Sequence, residues 1–562
     1  MNARPGLSRP GILPLVAVTA QSFLLTQFPL LNVLGLEYAA ATAPLIALLA
    51  GWALLPPRSA DDASPSVVQV VVRGLLLSVP PLLVGLAAAL FIRNCSLLAG
   101  LVQYVLIVLP AAVFGVGLAA VARGATKRWS RSLFVVFWAA VLAHIVFVTF
   151  TGPQIYAFNP IVGFFPGFSY DDALGLPGSL AWFRIVTLIS ALALILLGRF
   201  LERSRGHGRT AWSGRSALSC AAAGLLVVAL WWNADAWGWG SSVAHVKDEL
   251  HGVRESDHFI LIYPSDAVTE DQADRLEALH EFTYERLRRT LRVWPDRKIT
   301  SIIYRDAEQK NRLAGGGRTN FTKPWLWQMH LLLGDVRESL RHEMVHVLAA
   351  DFGFPVVRIG INAGVIEGLA VAMERTTNGE TVHRAAAQIL AAGVPVSVED
   401  LFSSFGFFRA NSAVSYTLAG SFSRYLIERF GIRSYKVFYR TGDSRQAFFH
   451  PLSDLVTGWR RRIDAIPLER SDSLKAAYYY RRPPMYAREC LRVIGEMNAA
   501  ARRSFADGQD SLGSLRSDRS WSLSRSPETG FLRAQGLLRT GRYADAVAFI
   551  DTLRADSVLW PS

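Results

Sequence analysis

Two histidines separated by one helical turn are the residues in this chain whose types and spacing are best suited to chemistry. They lie in the segment His342-Glu343-Met344-Val345-His346. Side chains at i and i+4 project from one face of a helix, so both imidazoles can reach a single tetrahedral metal ion. The carboxylate of Glu343 lies beside the first histidine, where it can take a proton from a water that attacks a peptide carbonyl. The segment therefore predicts His342 and His346 as metal ligands and Glu343 as the general base.

A third protein ligand is needed, because a catalytic zinc site has three protein ligands and one open position. A third histidine further along the same segment is excluded, since Ala349 and Phe352 stand where that pattern requires glycine and histidine. Glu367, in Ile366-Glu367-Gly368-Leu369-Ala370, lies on a segment with the pattern of a second helix, from about 362 to 375. A helical hairpin would return this carboxylate to the histidines. We therefore expect Zn²⁺ to be held by the two histidines and Glu367.

This order of residues resembles that of the gluzincins, zinc peptidases in which His-Glu-x-x-His is followed by a ligand glutamate on the next helix. The chain is most similar to the membrane-associated peptidase-MA-like group, and its Glu-Gly-Leu-Ala is distantly similar to the Glu-Gly-x-Ala of aminopeptidase N. The resemblance covers roughly 258 to 465. It implies a zinc metallopeptidase in which Tyr416, fifteen residues before Gly431, stabilises the oxyanion, and it matches Glu374 to an acidic residue that follows the ligand.

The chain also departs from the aminopeptidase pattern. Ile366 precedes the ligand glutamate where those enzymes have asparagine, and the upstream Gly-x-Met-Glu-Asn that binds a substrate amino terminus is absent from the sequence. An endopeptidase is therefore favoured over an aminopeptidase. We expect the segment Trp325 to Leu333 to form an edge strand that pairs with an extended polypeptide substrate.

The elements that must position these residues have a mixed α+β pattern. A strand is predicted from His258 to Tyr263 and a helix over 268–291, followed by a second strand from Ile299 to Tyr304. The Gly- and Thr-rich segment 312–324 is predicted to be a loop before the third strand, and the histidine helix is predicted to end near Ala350. This order is mixed α+β. The resemblance to gluzincins implies a zincin domain of the thermolysin-like type, which we assign to residues 233–470.

The first 232 residues predict a polytopic helical membrane domain. The chain is 51% hydrophobic, and its long uncharged runs lie before about Trp232. Seven runs have about the length that crosses a hydrocarbon core of roughly 30 Å. They are 12–31, 38–56, 74–92, 97–122, 133–150, 180–198 and 216–232. A cleaved signal peptide is the alternative for the first of them.

Basic residues in the loops predict the orientation of these spans. With the amino terminus inside, the opposite side receives only Arg93 and, at its margin, Arg184. The inner side then receives Arg4, Arg9, Arg58, Arg73, Arg123, Lys127, Arg128, Arg131, Arg199, Arg203, Arg205, Arg209 and Arg215. Under the positive-inside rule, an odd number of spans places the following domain outside the cytoplasm. We expect an integral protein of a bacterial cytoplasmic membrane, with a cytoplasmic amino terminus and an extracytoplasmic peptidase domain.

Residues 471–562 predict a short helical extension. Its apolar spacing from Ala534 to Ile550 is similar to that of a tetratricopeptide helix pair, so a protein partner at the C-terminal helices is an open alternative to simple packing. The formal net charge of +14 is accounted for largely by membrane loops, and no aromatic-interleaved basic motif suggests nucleic-acid binding. The expected partners are therefore a polypeptide substrate and the lipid bilayer.

Two other functions compete with a membrane-anchored zinc metallopeptidase acting on extracytoplasmic polypeptides. A catalytically inactive, peptidase-like receptor or scaffold would keep the fold without the reaction. An intramembrane protease would need the histidine segment inside lipid, but Asp335, Arg337, Glu338 and Arg341 precede His342. Charges at that position are costly in hydrocarbon, so the intramembrane alternative is disfavoured.

Overall fold

The fold is taken from a computed structural model, which describes residues 9–55, 66–167, 173, 177–206, 214–374, 376, 379–480 and 488–555. Arg4, Arg58 and Arg209, three of the predicted inner-side cations, lie outside these residues. The chain divides into two compact units. The first comprises 1–169, 175–245 and 312–315, and the second comprises 170–174, 246–311 and 316–562.

The first unit consists mainly of apolar helices, and each of the seven predicted runs falls on helical structure. The helices are α1 (Arg9–Leu25), α2 (Leu36–Trp52), α3 (Val67–Leu76), α4 (Val79–Ala88), α5 (Leu97–Ala125), α6 (Ser130–Thr151), α7 (Ser179–Gly206) and α8 (Gly214–Trp232). The run predicted over 74–92 is instead a longer segment, 67–88, interrupted before Pro80 and Pro81 at the start of α4. Proline cannot donate a helical hydrogen bond, which explains the break.

Four of these helical segments are long and apolar enough to cross a bilayer: 67–88, 97–125, 130–151 and 179–205. The helical stretches at 12–25, 36–52 and 216–232 are apolar but shorter. A helical, membrane-type unit is therefore present, whereas the count of seven spans stays a prediction.

Helix α5 forms the centre of the first unit, where it packs against α2 and α7. Small residues permit this close packing: a Cβ atom at Gly115 would lie 2.1 Å from the carbonyl oxygen of Ala47, and one at Gly124 would lie 2.4 Å from that of Gly198. Small residues at helix crossings are typical of membrane helices, whose backbones pack closely. Helix α6 is mostly exposed, as expected for a helix that faces lipid.

A short hairpin and a buried arginine complete this unit. Strand β1 (Ala157–Asn159) pairs antiparallel with β2 (Gly163–Phe165). Arg184, 2% exposed, donates to the backbone oxygens of Leu106 (2.8 Å), Ile107 (2.5 Å), Asn159 (3.4 Å) and Pro160 (2.9 Å). Leu106 lies four residues before Pro110, whose missing N–H leaves that carbonyl without its helical donor. The guanidinium thus replaces a hydrogen bond that the helix itself cannot make.

The second unit contains a mixed five-stranded sheet in the order β3-β4-β5-β7-β6. The strands are β3 (His251–Glu255), β4 (Phe259–Pro264), β5 (Ile299–Tyr304), β6 (Phe321–Lys323) and β7 (Gln328–Leu332). Strands β4, β5 and β7 are parallel, whereas β3 and β6 are antiparallel edge strands. The two strands predicted near 258–263 and 299–304 are confirmed. The prediction of Trp325 to Leu333 as an edge strand is wrong, because β7 is shorter and is flanked on both sides.

Helices form most of the second unit. They are α9 (Val243–Leu250), α10 (Glu270–Leu291), α11 (Ala307–Leu313), α12 (Val336–Leu348), α13 (Ala363–Met373), α14 (Val382–Ala391), α15 (Val398–Leu401), α16 (Ser412–Thr441), α17 (Ser444–Phe448), α18 (Leu452–Asp464) and α19 (Arg470–Tyr480). Among them, α10 and α12 pack against the sheet. Helix α10 begins at a capping box, in which Thr269 and Gln272 exchange hydrogen bonds. The predicted loop over 312–324 is partly wrong, since it contains the end of α11 and all of β6.

Single turns of 3₁₀ helix occur at Pro324–Leu326, Leu333–Asp335, Ala349–Asp351 and Gly406–Phe408. Helix α16 is interrupted by Gly431, whose φ of 82° lies in the left-handed region that glycine adopts without strain. The predicted end of the histidine helix near Ala350 agrees with α12 and the 3₁₀ turn that follows it.

The C-terminal part of the second unit contains two helical hairpins rather than the one predicted. They comprise α20 (Leu491–Ala506) with α21 (Asp510–Leu523), and α22 (Pro527–Arg539) with α23 (Tyr543–Ala555). The turn glycines Gly508 and Gly541 both have positive φ and lie 33 residues apart, close to the 34-residue tetratricopeptide period. The last predicted residues, 556–562, lie outside the described part of the chain.

Candidate metal centre

Helix α12 presents the two histidines because its opposite face belongs to the core. Leu340, Met344 and Val347 are fully buried in the same hydrophobic cluster as Met329 and Leu331 of β7. This packing fixes the rotation of the helix about its axis. Because of their i, i+4 spacing, His342 and His346 lie next to each other, with ring centroids 4.8 Å apart.

Helix α13 brings Glu367 to the two imidazoles. It begins at Asn362, whose side chain accepts the N–H of Val365. The Oε2 atom of Glu367 lies 3.2 Å from Nε2 of His342 and 3.4 Å from Nε2 of His346. One potential ligand atom from each of the three residues lies within 4.8 Å of the others. The structure therefore brings together the three residues that the sequence predicts as metal ligands.

The charges of this group suit a cation. Burial alone would raise the pKa of Glu367, but the adjacent imidazoles of His346 and His342 hold it well below its usual range. Burial alone would lower the pKa of His342, but its hydrogen bonds to the carboxylates of Glu367 and Glu374 raise it well above its ordinary value. A partly buried carboxylate thus keeps its negative charge beside two nitrogen donors.

Glu374 holds the other nitrogen of His342. Its Oε1 atom lies 2.7 Å from Nδ1, so the nitrogen that faces Glu367 is Nε2. Histidines that ligate metals commonly donate their second ring N–H to a carboxylate, which fixes the tautomer and the ring orientation. The donor set therefore fits a small tetrahedral cation such as Zn²⁺, with two imidazoles, one carboxylate and a position left for water or substrate.

Glu343 lies on α12 beside His342, but its carboxylate is hydrogen-bonded to a strand of the sheet rather than to the proposed ligands. Its side chain is nearly buried, and its Oε2 atom accepts a 2.7 Å hydrogen bond from the hydroxyl of Thr322. Thr322 lies on β6, the edge strand beside the predicted site. Thr322 is not predicted from the sequence, because a single threonine in a Gly- and Thr-rich segment carries no recognisable spacing.

Tyr416 is the fifth residue of α16, which follows the N-cap residue Asn411, whose side chain accepts the N–H of Ala413. Its ring centroid is 6.2 Å from that of His342 and 5.2 Å from that of Phe407. The phenol is thus beside the metal-binding group, as the resemblance implied. Its role in a reaction stays a prediction.

Two other buried or partly buried histidines of this unit have partners outside this group. Nδ1 of His330 is 2.9 Å from the Tyr304 hydroxyl within the sheet, and Nδ1 of His383 is 2.8 Å from the Ser421 hydroxyl. Within the described residues, His342, His346 and Glu367 form the one cluster of three or more such side chains that could hold a metal ion. Comparison of the chain with models of known protein families, with curated proteins and with solved structures finds no match.

Proposed function

We propose that this protein is a membrane-anchored zinc endopeptidase. The observation that carries the proposal is the meeting of His342, His346 and Glu367, whose potential ligand atoms all lie within 4.8 Å of one another. These side chains come from two successive helices, and a fourth group, Glu343, is available for proton transfer. Zinc is favoured over other metals because two imidazoles and one carboxylate match the donor set of catalytic zinc sites.

Each residue of the site has a separate role in the proposed peptide hydrolysis. A zinc ion in this position would supply Lewis acidity, activating a water molecule and polarising the substrate carbonyl. Glu343 takes the proton of the attacking water and passes it to the leaving amine. Thr322 orients that carboxylate, and the Tyr416 hydroxyl donates a hydrogen bond to the developing oxyanion.

The substrate class follows from the edge strand and from the missing amino-terminus motif. Strand β6 has β7 on one side and is the last strand of the sheet, so its other side can pair with an extended polypeptide. Ile366 and the absence of Gly-x-Met-Glu-Asn from the sequence give no support to recognition of a free amino terminus. We therefore propose cleavage within polypeptide chains.

The proposed reaction is tested by one substitution and a matched control. Glu343→Gln removes the base but leaves the three proposed ligands intact, so it is expected to retain zinc and lose hydrolysis of a denatured protein substrate. Glu338→Gln makes the same chemical change at an exposed position of α12 and is expected to keep both zinc and activity. Full activity of Glu343→Gln would contradict the assignment of the base.

A catalytically inactive receptor or scaffold is the second candidate, and the same experiment separates it from a peptidase. A wild-type protein that holds zinc but cleaves none of the denatured substrates would support the scaffold. An intramembrane protease is disfavoured because Arg337, Glu338 and Arg341 share α12 with the histidines.

The proposed location is the extracytoplasmic face of a bacterial cytoplasmic membrane. It rests on the apolar helices of the first unit and on the distribution of basic residues between them. A reporter enzyme that works only outside the cytoplasm should be active when it is fused after residue 555. Activity of a reporter that works only in the cytoplasm, fused at the same position, would overturn the orientation.

A protein partner at the C-terminal hairpins is also proposed, since Tyr543, Val547 and Ile550 form an exposed apolar stripe on α23.

A further inference from the structure

The end of helix α13 lies beside the proposed metal centre and is held by two arginines. The helix ends at Met373, and Glu374 has extended backbone dihedral angles immediately after it. Carbonyl groups in the last turn of a helix have no helical donor, so they need partners from elsewhere. The N–H of Glu374 donates to the carbonyl of Val371, whereas the carbonyls of Met373 and Glu374 receive guanidinium groups from neighbouring helices.

The first arginine comes from the same helix as the histidines. Nη1 of Arg341 donates to the carbonyl oxygen of Met373 over 2.8 Å. Arg341 immediately precedes His342, so a shift of Met373 relative to α12 would break this hydrogen bond. A positive charge at a helix C terminus is also favoured by the helix dipole.

The second arginine comes from α16. Nη1 of Arg424 donates to the carbonyl oxygen of Glu374 over 3.4 Å, a long hydrogen bond. Its guanidinium is oriented by Glu428, whose Oε1 atom lies 3.1 Å from Nε of Arg424. Glu428 in turn pairs with Arg462 at 2.7 Å. Arg424 is thus part of a partly exposed network of ion pairs on α16 and α18, which orients its guanidinium toward the end of α13.

We propose that Arg341 and Arg424 are positioning residues of the metal centre, which hold the end of α13 so that Glu374 stays bonded to Nδ1 of His342. This inference rests on the metal centre of the proposed function. The carboxylate of Glu374 lies 2.7 Å from Nδ1, and that hydrogen bond keeps Nε2 directed to the metal position. The N–H of Glu374 is still bonded to Val371, but the carbonyls of Met373 and Glu374 lie beyond the helical hydrogen bonds, and the two arginines restrain them.

The test measures zinc affinity in the full-length, detergent-purified protein by competition with a chromophoric chelator. Loss of a group that orients a ligand commonly weakens metal binding by about 10- to 100-fold, which is the result expected for Glu374→Ala. Arg341→Gln and Arg424→Gln should each weaken zinc binding in the same direction, Arg341→Gln more because its hydrogen bond is shorter. Arg341→Lys keeps a donor and a charge, so its affinity should lie closer to wild type than that of Arg341→Gln.

A double-mutant cycle separates positioning from a general loss of stability. If the arginines act through Glu374, Arg341→Gln should cause no further loss of zinc affinity in the Glu374→Ala background. Additive losses would overturn the proposal.

Arg440→Gln is the matched control. Arg440 also donates to backbone carbonyls, those of Phe352 and Asp351, and these hydrogen bonds go to the segment after α12 rather than to the end of α13. Its substitution should leave zinc affinity unchanged, and an equal loss there would show that the effect of Arg341→Gln is not specific.

The outcomes also distinguish this inference from the proposed function. A wild-type protein that binds zinc but does not cleave polypeptides would contradict the proposed peptidase function. The double-mutant cycle would still test the positioning role of the arginines, because it measures zinc affinity. A wild type without measurable zinc affinity would contradict both.

Discussion

Replacement of Thr322 by valine should impair the reaction without removing the metal. Valine has nearly the shape of threonine and suits a strand, so the change removes little besides the hydroxyl. In the native protein that hydroxyl lies 2.7 Å from Oε2 of Glu343 and 3.1 Å from the Glu343 backbone oxygen. The glutamate is only 6% exposed, so water has little room to replace the lost donor.

The size of the effect follows from the charge of the acceptor. A hydrogen bond to a charged group contributes about 1.5–3 kcal/mol. An equal increase in the activation free energy slows a reaction by about 10- to 100-fold. We expect this loss in kcat, since the hydroxyl contacts the proposed base rather than the substrate. Zinc content should stay at the wild-type level, because Thr322 is not among the proposed ligands.

The assay is steady-state hydrolysis of a denatured protein substrate by wild type, Thr322→Val and Thr322→Ser. Serine retains the donor, so Thr322→Ser should keep most of the activity. Equal rates for wild type and Thr322→Val would refute the orienting role. Equal losses in the serine and valine variants would refute it as well, because they would trace the defect to the missing methyl group or to a disturbed strand.

Two further predictions concern a side chain of the candidate site and one of the core. Tyr416→Phe should retain zinc but lower kcat by about 10²- to 10³-fold, the usual effect of removing one oxyanion donor, and unchanged kcat would contradict that role. Burial lowers the pKa of His280 to about 4, whereas 6.5 is its ordinary value, so between these values the unfolded chain binds a proton that the folded protein does not. The contribution of His280 to the free energy of unfolding should therefore decrease by about 3 kcal/mol from pH 6.5 to pH 4. Denaturation at both pH values should show a smaller decrease for His280→Gln, and an identical pH dependence would contradict the prediction.

The part of the site that sequence alone could predict is the part set by local helix geometry. The spacing of His342 and His346 places both on one face of any helix, and Glu367 needs only a second helix nearby. The meeting of these three side chains is therefore foreseeable. The hydrolysis of peptide bonds at this site does not follow from helix geometry and is a proposal.

The parts that were missed depend on long-range pairing. Strand β6 has three residues, too few for a periodic pattern, so the Trp325 to Leu333 segment was mistaken for the sheet edge. Thr322 and Arg424 contact the site only because β6 and α16 pack there, and neither residue has a characteristic spacing. The helical character of the C-terminal extension is predicted, but the pairing of α20 with α21 is not, because α21 has little apolar periodicity; Gly508 and Gly541 nevertheless mark equivalent turns.

Arg184 has a consequence for the order in which the membrane unit assembles. Pro110 leaves the Leu106 carbonyl of α5 without a helical donor, and the replacement donor is on α7, which is synthesised later. In lipid, an unbonded carbonyl and an isolated guanidinium are both costly. We therefore expect α5 and α7 to become stable in the bilayer only as a pair, so that insertion of the earlier helix is completed by the later one.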